Sequence, residues 1–424
     1  MRPFASLLPA RGATRPLSVN YLVDSLGTGL FLTGGVAFFV HVVGLTPAQV
    51  GAGFSLAGLI TLGASVPTGW LADRMDTRRL LIVLHVAEAV LFCLYPLVHS
   101  FLGFVVVACA TSLAIRATST VRAALIGAVL EPDRLVAGRA YLRAVFNGGF
   151  AGGSALAAWA LADGSHLACE LVILGNAVTY VLAALTLIPL PAMPPRQRPA
   201  GASKAPALKD IPFVLLTLMN GLLGMNGIVL TLALPLLIVS GQGIPKALAG
   251  LFVTVNTVLI VIFQVRLSRG ADTLEGGARA QRRSGFLLAV SCVGIAAAVA
   301  AHGTALKITF LTLAVLVLTA GELLAMAGSW GISYGLAPEH ARGEYLGVYA
   351  LGAAFSETVG PAATAFLGVR EGPPGWLAIA AVFLLSGVAV VPLVARAQAK
   401  RAAAATGGAT GDAEDLTASA GGAA

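Results

Sequence analysis

Charged residues are scarce in this chain. Lys, Arg, Asp and Glu together make up 11% of its 424 residues, whereas hydrophobic residues make up 57%. A soluble globule of this size needs more ionisable groups to cover its surface. With a mean hydropathy of +0.88, the composition argues against a soluble protein and predicts a polytopic membrane protein.

Several motifs of catalysis and cofactor binding are also missing. The four cysteines (Cys93, Cys109, Cys169 and Cys292) stand singly in apolar segments, without C-x-x-C spacing. This pattern predicts packing residues, with no disulfide framework and no metal site. No G-x-x-x-x-G-K-[ST] sequence is present, so nothing indicates that ATP drives the protein. We therefore expect neither an enzyme nor a cofactor.

Long apolar runs fill most of the chain. A helix needs about 20 apolar residues to cross roughly 30 Å of hydrocarbon, and twelve segments meet this requirement. They lie near residues 18–43, 47–72, 79–98, 101–127, 142–162, 168–190, 211–239, 247–266, 285–302, 306–334, 344–368 and 376–395. The first run is too long for the core of a signal peptide, so we interpret it as a retained helix.

Basic residues are distributed unevenly among the predicted loops. If the N-terminus is cytoplasmic, 23 of them lie on that side, against only Lys246, Lys307 and Arg370 outside, with Arg116 inside a span. The positive-inside rule then places both termini in the cytoplasm and predicts a multi-pass protein of the plasma membrane. This asymmetry accounts for the net charge of +8, so no nucleic acid is needed as a partner.

A proline-rich break at residues 191–210 divides the twelve segments into six and six. It predicts an N-terminal bundle at 1–190, a cytoplasmic linker at 191–210 and a C-terminal bundle at 211–395. Residues 396–424 lack any pattern and predict a disordered tail. Arg116 stands 206 residues before Glu322, and Pro132 stands 206 before Pro338. This constant offset favours a duplicated six-helix unit, although chance is an alternative because Pro-acid pairs are common in loops.

The turn between the second and third segments, Pro67 to Arg79, carries a recognisable motif. It reads P-T-G-W-L-A-D-R-M-D-T-R-R and resembles the G-x-L-A-D-R-x-G-R-R loop of the major facilitator superfamily. Asp76 and Thr77 depart from that form. The resemblance implies an all-α membrane protein with twelve transmembrane helices in two pseudo-symmetric six-helix bundles. It also implies a monomer that moves a small-molecule substrate across the lipid bilayer.

The same resemblance implies a cytoplasmic gate. In the family the loop aspartate accepts hydrogen bonds from the N-terminus of helix 11, so we expect this of Asp73, together with a pairing to Arg122 or Arg78. The second copy of the motif, expected near 266–272, has decayed and has Arg269 where Asp73 would map. The residues predicted for the gate are Gly69, Asp73, Arg74, Arg78, Arg122 and Asp133.

Charges inside a span cost about 2.5–3.5 kcal/mol on insertion scales, so each needs a reason. The acids of this kind are Asp24, Glu88, Glu322 and Glu357. By resemblance Asp24, Arg116 and Glu322 share a central cavity. Because the repeat places opposite charges at matching positions in the two halves, we expect Arg116 to pair with Glu322. If Asp24 couples protons, we expect it to contact Arg116 in one state only. The predicted proton-coupling residues are Asp24, Glu322 and Glu357. The alternative is that Asp24 lies at the membrane interface and that Arg116 pairs with a neighbour only to stabilise the fold. Glu88 is predicted to have a structural role.

The predicted substrate-cavity residues are Asp24, Arg116, Phe146, Asn147, Phe150, Asn220, Asn226, Glu322 and Trp330. A wall of Ala, Leu and Phe suits a lipophilic substrate. The glycine-rich stretch 147–153 resembles the helix 5 signature of drug and proton antiporters, without its proline. The sequence therefore predicts a secondary transporter that works by alternating access and exports small, largely apolar compounds in exchange for protons. An uptake permease or facilitator, and a non-transporting scaffold or sensor, are the alternatives.

Overall fold

The computed structural model of the protein describes residues 14–61, 63–162, 165–195, 206–239 and 243–421. Within these ranges the chain forms helices joined by short turns and has no β-strand. The first half consists of α1 (Thr14–His41), α2 (Pro47–Thr61, continued after a break by Ser65–Ala72), α3 (Thr77–Leu94), α4 (Phe101–Val129), α5 (Leu135–Leu161) and α6 (His166–Thr186).

The described part of the second half contains six further helical segments, preceded by the short helical turn Pro206–Lys209. They are α7 (Ile211–Gly224, Asn226–Ile228, a π-helical turn Val229–Ala233 and Leu234–Val239), α8 (Ala247–Leu267), α9 (Leu274–Ala300), α10 (Thr304–Leu336), α11 (Arg342–Ala363, continued by a π-helical stretch Thr364–Arg370) and α12 (Pro373–Gly421). The arrangement of twelve helices in two six-helix bundles confirms the predicted fold class.

Most of these helices are suited to a membrane by length and composition alone. Among the described residues, nine are long and apolar enough to cross it, and the two parts of α2 together make a tenth. The other two, α5 and α11, are rich in glycine. Glycine contributes little hydropathy, and in membranes it permits close helix packing.

Glycines bring helices of each half into backbone contact at equivalent places. A Cβ on Gly153 of α5 would lie 2.0 Å from the carbonyl oxygen of Leu26 in α1. A Cβ on Gly221 of α7 would lie 2.7 Å from the carbonyl oxygen of Gly352 in α11. The α1–α5 and α7–α11 pairs therefore pack in the same way, which supports an internal repeat.

Two helix ends differ from the sequence prediction in a way that affects the functional site. α4 continues to Val129, and α5 begins at Leu135 instead of residue 142. Arg139 therefore lies inside a helix, although it fell between the predicted segments. Arg122 and Arg143, which were counted with the charges of that turn, lie inside helices as well. An apolar run marks only the hydrocarbon part of a helix, and arginine is compatible with the helical turns that extend beyond it.

Both halves turn at a common end, which we call the basic end. It contains the α2–α3, α4–α5, α8–α9 and α10–α11 turns and the start of the linker. Asp76 caps α3 here by accepting a hydrogen bond from the Arg79 N–H at 3.0 Å, and it also accepts one from the Met193 N–H at 3.2 Å. These contacts explain an aspartate where the resembling motif has glycine. Linker residues 196–205 lie outside the described residues.

The C-terminal segment differs from the prediction of a disordered tail starting at residue 396. α12 continues through this point, and Ala397 is buried. Lys400 Nζ lies 3.2 Å from Asp210 Oδ1, and Arg401 Nη2 lies 3.5 Å from Asp210 Oδ2. These ion pairs attach α12 to the start of α7, so the helix persists beyond its apolar run.

A buried polar network joins three helices of the first half. On α3, His85 Nδ1 lies 2.9 Å from Glu88 Oε2, and both side chains are at most 1% exposed. Asn20 of α1 lies 3.4 Å from His85 Nε2 and donates a hydrogen bond to the Ala183 carbonyl oxygen of α6 at 2.9 Å. Through His85 and Asn20, Glu88 therefore helps to hold α1, α3 and α6 together.

We expect Glu88→Ala to destabilise the protein, because it removes the partner of a buried imidazole. A buried polar group without a partner costs about 1–3 kcal/mol, so the midpoint of thermal unfolding in detergent should fall. Glu131→Ala is the control, since Glu131 is 72% exposed and pairs with Arg134 at the surface, where such pairs contribute roughly 0–1 kcal/mol. Equal midpoints for the two variants would contradict the structural role.

Candidate functional site

A cavity of about 400 Å³ lies between the two halves. Helices α1, α4 and α5 line it from the first half, and α7, α10 and α11 line it from the second. The lining residues are Tyr21, Ser119, Thr120, Arg122, Ala123, Arg139, Arg143, Phe146, Asn220, Ser329, Trp330, Ser333, Tyr334, Leu346, Tyr349, Ala350 and Ala353. The list contains three arginines and, among the described residues, no aspartate or glutamate.

The three arginines are oriented by aromatic side chains. The guanidinium of Arg122 lies 5.0 Å from the ring centroid of Tyr21, and that of Arg139 lies 5.4 Å from the ring centroid of Trp330. Arg143 lies 5.5 Å from the ring centroid of Phe146. A cation over an aromatic face gains roughly 0.5–2 kcal/mol. These contacts fix the guanidinium groups at the cavity wall.

Asp24 lies behind this wall and pairs with one of the arginines. Arg122 Nη1 donates to Asp24 Oδ2 at 2.7 Å, and both side chains are less than 10% exposed. Nε and Nη2 of Arg122 have no hydrogen-bond partner among the described residues. The expected contact of Asp24 with Arg116 is therefore replaced by one with Arg122. Six residues turn a helix by roughly 240°, so Arg116 and Arg122 leave α4 from different faces.

Arg116 crosses to the second half and pairs with Glu357. Its Nη2 lies 2.9 Å from Glu357 Oε2, with side-chain exposures of 21% and 60%. The predicted pairing of Arg116 with Glu322 is wrong, because Glu322 is buried and accepts a hydrogen bond from Asn256 of α8 at 2.8 Å. The repeat offset predicts matching positions for Arg116 and Glu322 on α4 and α10, but it does not predict the direction in which either side chain points.

The other predicted cavity residues divide into two groups. Phe146, Asn220 and Trp330 line the cavity, and Asn220 also accepts a hydrogen bond from Gln281 at 3.1 Å. Asn147, Phe150 and Asn226 are not among its lining residues. The ring of Phe150 stacks on Phe146 with centroids 6.4 Å apart, and Asn226 donates to the Leu223 carbonyl oxygen at 2.7 Å, beside the break in α7. The wall is more polar than the predicted surface of Ala, Leu and Phe.

Sequence reasoning missed several residues that line the cavity. They are chiefly Tyr21, Arg139, Arg143, Tyr334 and Tyr349. A signal was present, because Arg139 and Arg143 stand four residues apart and therefore share one helix face. It was overlooked because the predicted start of α5 fell after Arg139.

An apolar cluster separates the cavity from the basic end. Leu135, Tyr334 and Leu346 are buried together, with Ala123 and Trp330 packed against them. These residues come from α4, α5, α10 and α11, and therefore from both halves. The Tyr334 hydroxyl donates to the Ala123 carbonyl oxygen at 2.8 Å. The basic end of the cavity is closed in this structure.

Asp73 joins the halves below this cluster. Its carboxylate accepts hydrogen bonds from the backbone N–H groups of Gly343 and Glu344, at 2.7 and 2.9 Å, in the first turn of α11. A Cβ on Gly69 would lie 2.2 Å from the Gly343 carbonyl oxygen, so only glycine permits this approach of α2 to α11. Arg122, one of the two expected partners of Asp73, is instead paired with Asp24.

Asp272 makes the equivalent contact from the second half. Its Oδ1 accepts a hydrogen bond from the Val136 N–H at 3.1 Å, in the first turn of α5. Burial raises the pKa of the Asp272 carboxyl. The interpretation of the second motif as decayed is therefore corrected, because Asp272, at the end of that segment, supplies the carboxylate that Arg269 lacks. Each half thus caps a helix of the other.

The remaining predicted gate residues surround these caps. The guanidinium of Arg74 lies 3.6 Å from the ring centroid of Trp70. Arg78 lies in the first turn of α3, and Asp133 is exposed in the α4–α5 turn. Arg342, which the sequence analysis did not assign to the gate, donates to the Gly127 carbonyl oxygen and so links α11 to α4.

Metal binding finds no support in the side-chain positions. Over the part of the chain that the structure describes, no group of three or more His, Cys, Asp or Glu residues is placed to hold a metal ion.

Comparison with known proteins agrees with this architecture. The model of the Major Facilitator Superfamily matches residues 17–361. A bacterial homologue of the iron transporter ferroportin, in an outward-facing state, is similar with a TM-score of 0.71, 17% identity and coverage of 91% of this chain and 99% of that one. The human organic anion transporter MFSD10 is similar with a TM-score of 0.66, 15% identity and coverage of 90% and 100%.

The proton:xylose symporter XylE shares the fold with a TM-score of 0.68, 12% identity and coverage of 88% of this chain and 94% of that one. No curated protein sequence matches the chain. At these identities the solved structures establish the fold alone, whereas the family model spans α1 to most of α11. The family and its structural neighbours indicate a transporter, and the chain belongs to the Major Facilitator Superfamily.

Proposed function

We propose that the protein is a secondary active transporter that works by alternating access and couples protons to the movement of small, largely apolar compounds carrying an acidic group. The observation that carries this proposal is the cavity between the halves, with its three arginines and no lining carboxylate among the described residues. Proton coupling and an apolar substrate body follow the sequence prediction. The acidic group is added because of the cavity.

The guanidinium groups have nitrogens without partners, and these suit a carboxylate or similar anion. Nε and Nη2 of Arg122, together with Nε of Arg139 and of Arg143, are buried and have no hydrogen-bond partner among the described residues. Arginine binds carboxylates through two parallel hydrogen bonds, and such charge-assisted bonds are about twice as strong as neutral ones. Phe146 and Trp330 offer aromatic surface to the apolar part of the same substrate.

Asp24 supplies the link to protons. Arg122 holds Asp24 with one nitrogen, so an anion bound to its other edge places two carboxylates beside one guanidinium. Like charges that share a site favour protonation of one of them. Substrate binding therefore favours protonation of Asp24, and the proton and the substrate move in the same direction. This arrangement favours uptake, which is one of the alternatives from the sequence.

Export in exchange for protons, the direction predicted from the sequence, is the second candidate. Arg139 and Arg143 form no hydrogen bond with Asp24 in the described residues, so an anion held by them alone leaves the Asp24–Arg122 pair intact. The proton and the substrate can then bind in different steps. An inside-negative membrane potential also drives an anion outward, by about 2.3 kcal/mol per charge per 100 mV.

The closed basic end supports alternating access. In this proposal the basic end and both termini face the cytoplasm, because most arginines and lysines lie there, and the protein acts as a monomer in the plasma membrane. The gate comprises Gly69, Asp73 and Asp272, with Arg74, Arg78 and Asp133 around them. Glu322 and Glu357 are further proton-carrying candidates, since both are acids within the spans.

Transport in proteoliposomes tests the substrate class. We expect aromatic and aliphatic carboxylates to be transported and their neutral amides to be rejected, with a concurrent change in internal pH. Arg139→Gln and Arg143→Gln should each raise KM about ten- to hundred-fold, since a hydrogen bond to a charged group contributes about 1.5–3 kcal/mol. Arg134→Gln, at a 71% exposed position, is the matched control.

The outcomes separate the candidates. Acidification of vesicles that take up the carboxylate indicates movement in the same direction, whereas alkalinisation indicates exchange. Equal transport of carboxylates and amides would contradict the anion site. Absence of flux for the whole panel from correctly folded protein would favour the non-transporting scaffold or sensor.

Asp24→Asn tests the coupling residue. Asparagine keeps the size of the side chain and a hydrogen-bond acceptor for Arg122, but it does not titrate. We expect carboxylate binding to persist without its dependence on pH, and accumulation driven by a pH gradient to stop. Accumulation that continues in this variant would show that the proton travels elsewhere, with Glu357 or Glu322 as the next residue to change.

Asp73→Ala tests the gate. Loss of a capping side chain costs about 0.5–2 kcal/mol, so the basic end should open more often. A cysteine introduced at Ser333 in the cavity, in a background without the native cysteines, should react about two- to thirty-fold faster with a reagent applied from the basic side. Glu131→Ala, at a 72% exposed acid of the same end, should leave this rate unchanged. An unchanged rate for Asp73→Ala would rule out the cap as a gate.

A further inference from the structure

A second cavity, of about 470 Å³, lies on the outer surface of the second half, away from the central cavity. It is a groove between α9, α10 and α12. Its lining residues are Arg282, Arg283, Phe286, Leu287, Leu324, Leu384 and Val388. The two arginines lie at one end, and the rest of the lining is apolar.

Glycines bring two of these helices together beside the groove. A Cβ on Gly285 of α9 would lie 2.6 Å from the Phe383 carbonyl oxygen and 2.7 Å from the Gly387 Cα, both in α12. The two backbones therefore touch at this crossing. No side chain can fill the space beside the crossing from these two positions, and Phe286, which is 59% exposed, projects outward at the edge.

The position of the arginines matches the membrane interface. Arg282 and Arg283 are the last charged residues of α9 before an apolar run that continues to its end. Both are exposed, and neither side chain forms an ion pair or hydrogen bond in the described part of the chain. Phe286 and Leu287 follow within about one helical turn toward the bilayer centre. Two permanent positive charges thus stand where an apolar groove begins.

We propose that this groove binds an anionic phospholipid, with the phosphate on Arg282 and Arg283 and an acyl chain along Phe286, Leu384 and Val388. Arginine pairs with phosphate through two parallel hydrogen bonds, and basic pockets between membrane helices suit anionic headgroups. A free phosphate ion would leave the apolar part of the groove unused. The site lies apart from the central cavity, so it does not depend on the proposed substrate.

The test measures thermal unfolding of the full chain in an uncharged detergent. Dioleoylphosphatidylglycerol is titrated in, with dioleoylphosphatidylcholine and inorganic phosphate as comparisons. We expect phosphatidylglycerol alone to raise the midpoint in a saturable way. Arg282→Gln with Arg283→Gln should weaken this effect about ten- to thirty-fold in lipid concentration. The control, Arg134→Gln with Arg370→Gln, removes two charges from exposed positions elsewhere.

A third variant tests the acyl-chain part of the site. Val388→Trp fills the groove without changing any charge, and it should also abolish the saturable stabilisation. Four outcomes overturn the proposal: an equal effect of phosphatidylcholine, an equal effect of inorganic phosphate, equal loss in the Arg134 and Arg370 control, or full lipid response in Val388→Trp. Each variant is first compared without lipid, so that a change in basal stability is seen separately.

Discussion

Two aspartates that cap helices of the opposite half hold the basic end of this protein closed. The first four N–H groups of an α-helix have no partner within the helix. Asp73 of the first half accepts those of Gly343 and Glu344 in α11, and Asp272 of the second half accepts that of Val136 in α5. Because each cap crosses between the halves, both caps fix how close the halves approach, and the cavity above them depends on that distance.

The closure is also reversible on energetic grounds. A helix cap contributes about 0.5–2 kcal/mol, and a ligand shifts a conformational equilibrium by as much as its affinity for the two states differs. The direct contact of Gly69 with Gly343 adds shape complementarity without a covalent or deeply buried ionic bond. The end is held by two caps, by the hydrogen bond from Arg342 to Gly127 and by one apolar cluster, so modest binding energy can shift the balance between closed and open.

The cost of charge in hydrocarbon organises the interior. Arg116 pairs with Glu357, Asp24 pairs with Arg122, and Glu322 is held by Asn256. Arg139 and Arg143 form no ion pair with a carboxylate in the part of the chain that the structure describes, although Arg143 is near enough to Glu322 to interact with it electrostatically. Both line the cavity, where water or an anion can compensate their charge. This is the physical reason for assigning the cavity to acidic compounds. The arginines of the outer groove differ, because they lie at the interface and meet lipid.

The sequence by itself determined the helices, their number and the family. Apolar runs and the loop at Asp73 suffice for this, because each reflects local chemistry: the thickness of hydrocarbon, and a turn that must carry charge. It also located Asp24, Phe146, Asn220 and Trp330 at or beside the cavity.

The tertiary structure decided which charges meet. Arg116 and Arg122 both lie on α4, yet Arg116 pairs with Glu357 and Arg122 pairs with Asp24. In the second half, Asp272 supplies the capping carboxylate that the second copy of the motif does not provide at Arg269. Ion pairs and caps depend on how each helix is rotated and on contacts between residues that are 98 to 271 positions apart in the chain. A local sequence pattern predicts neither the rotation nor the contacts.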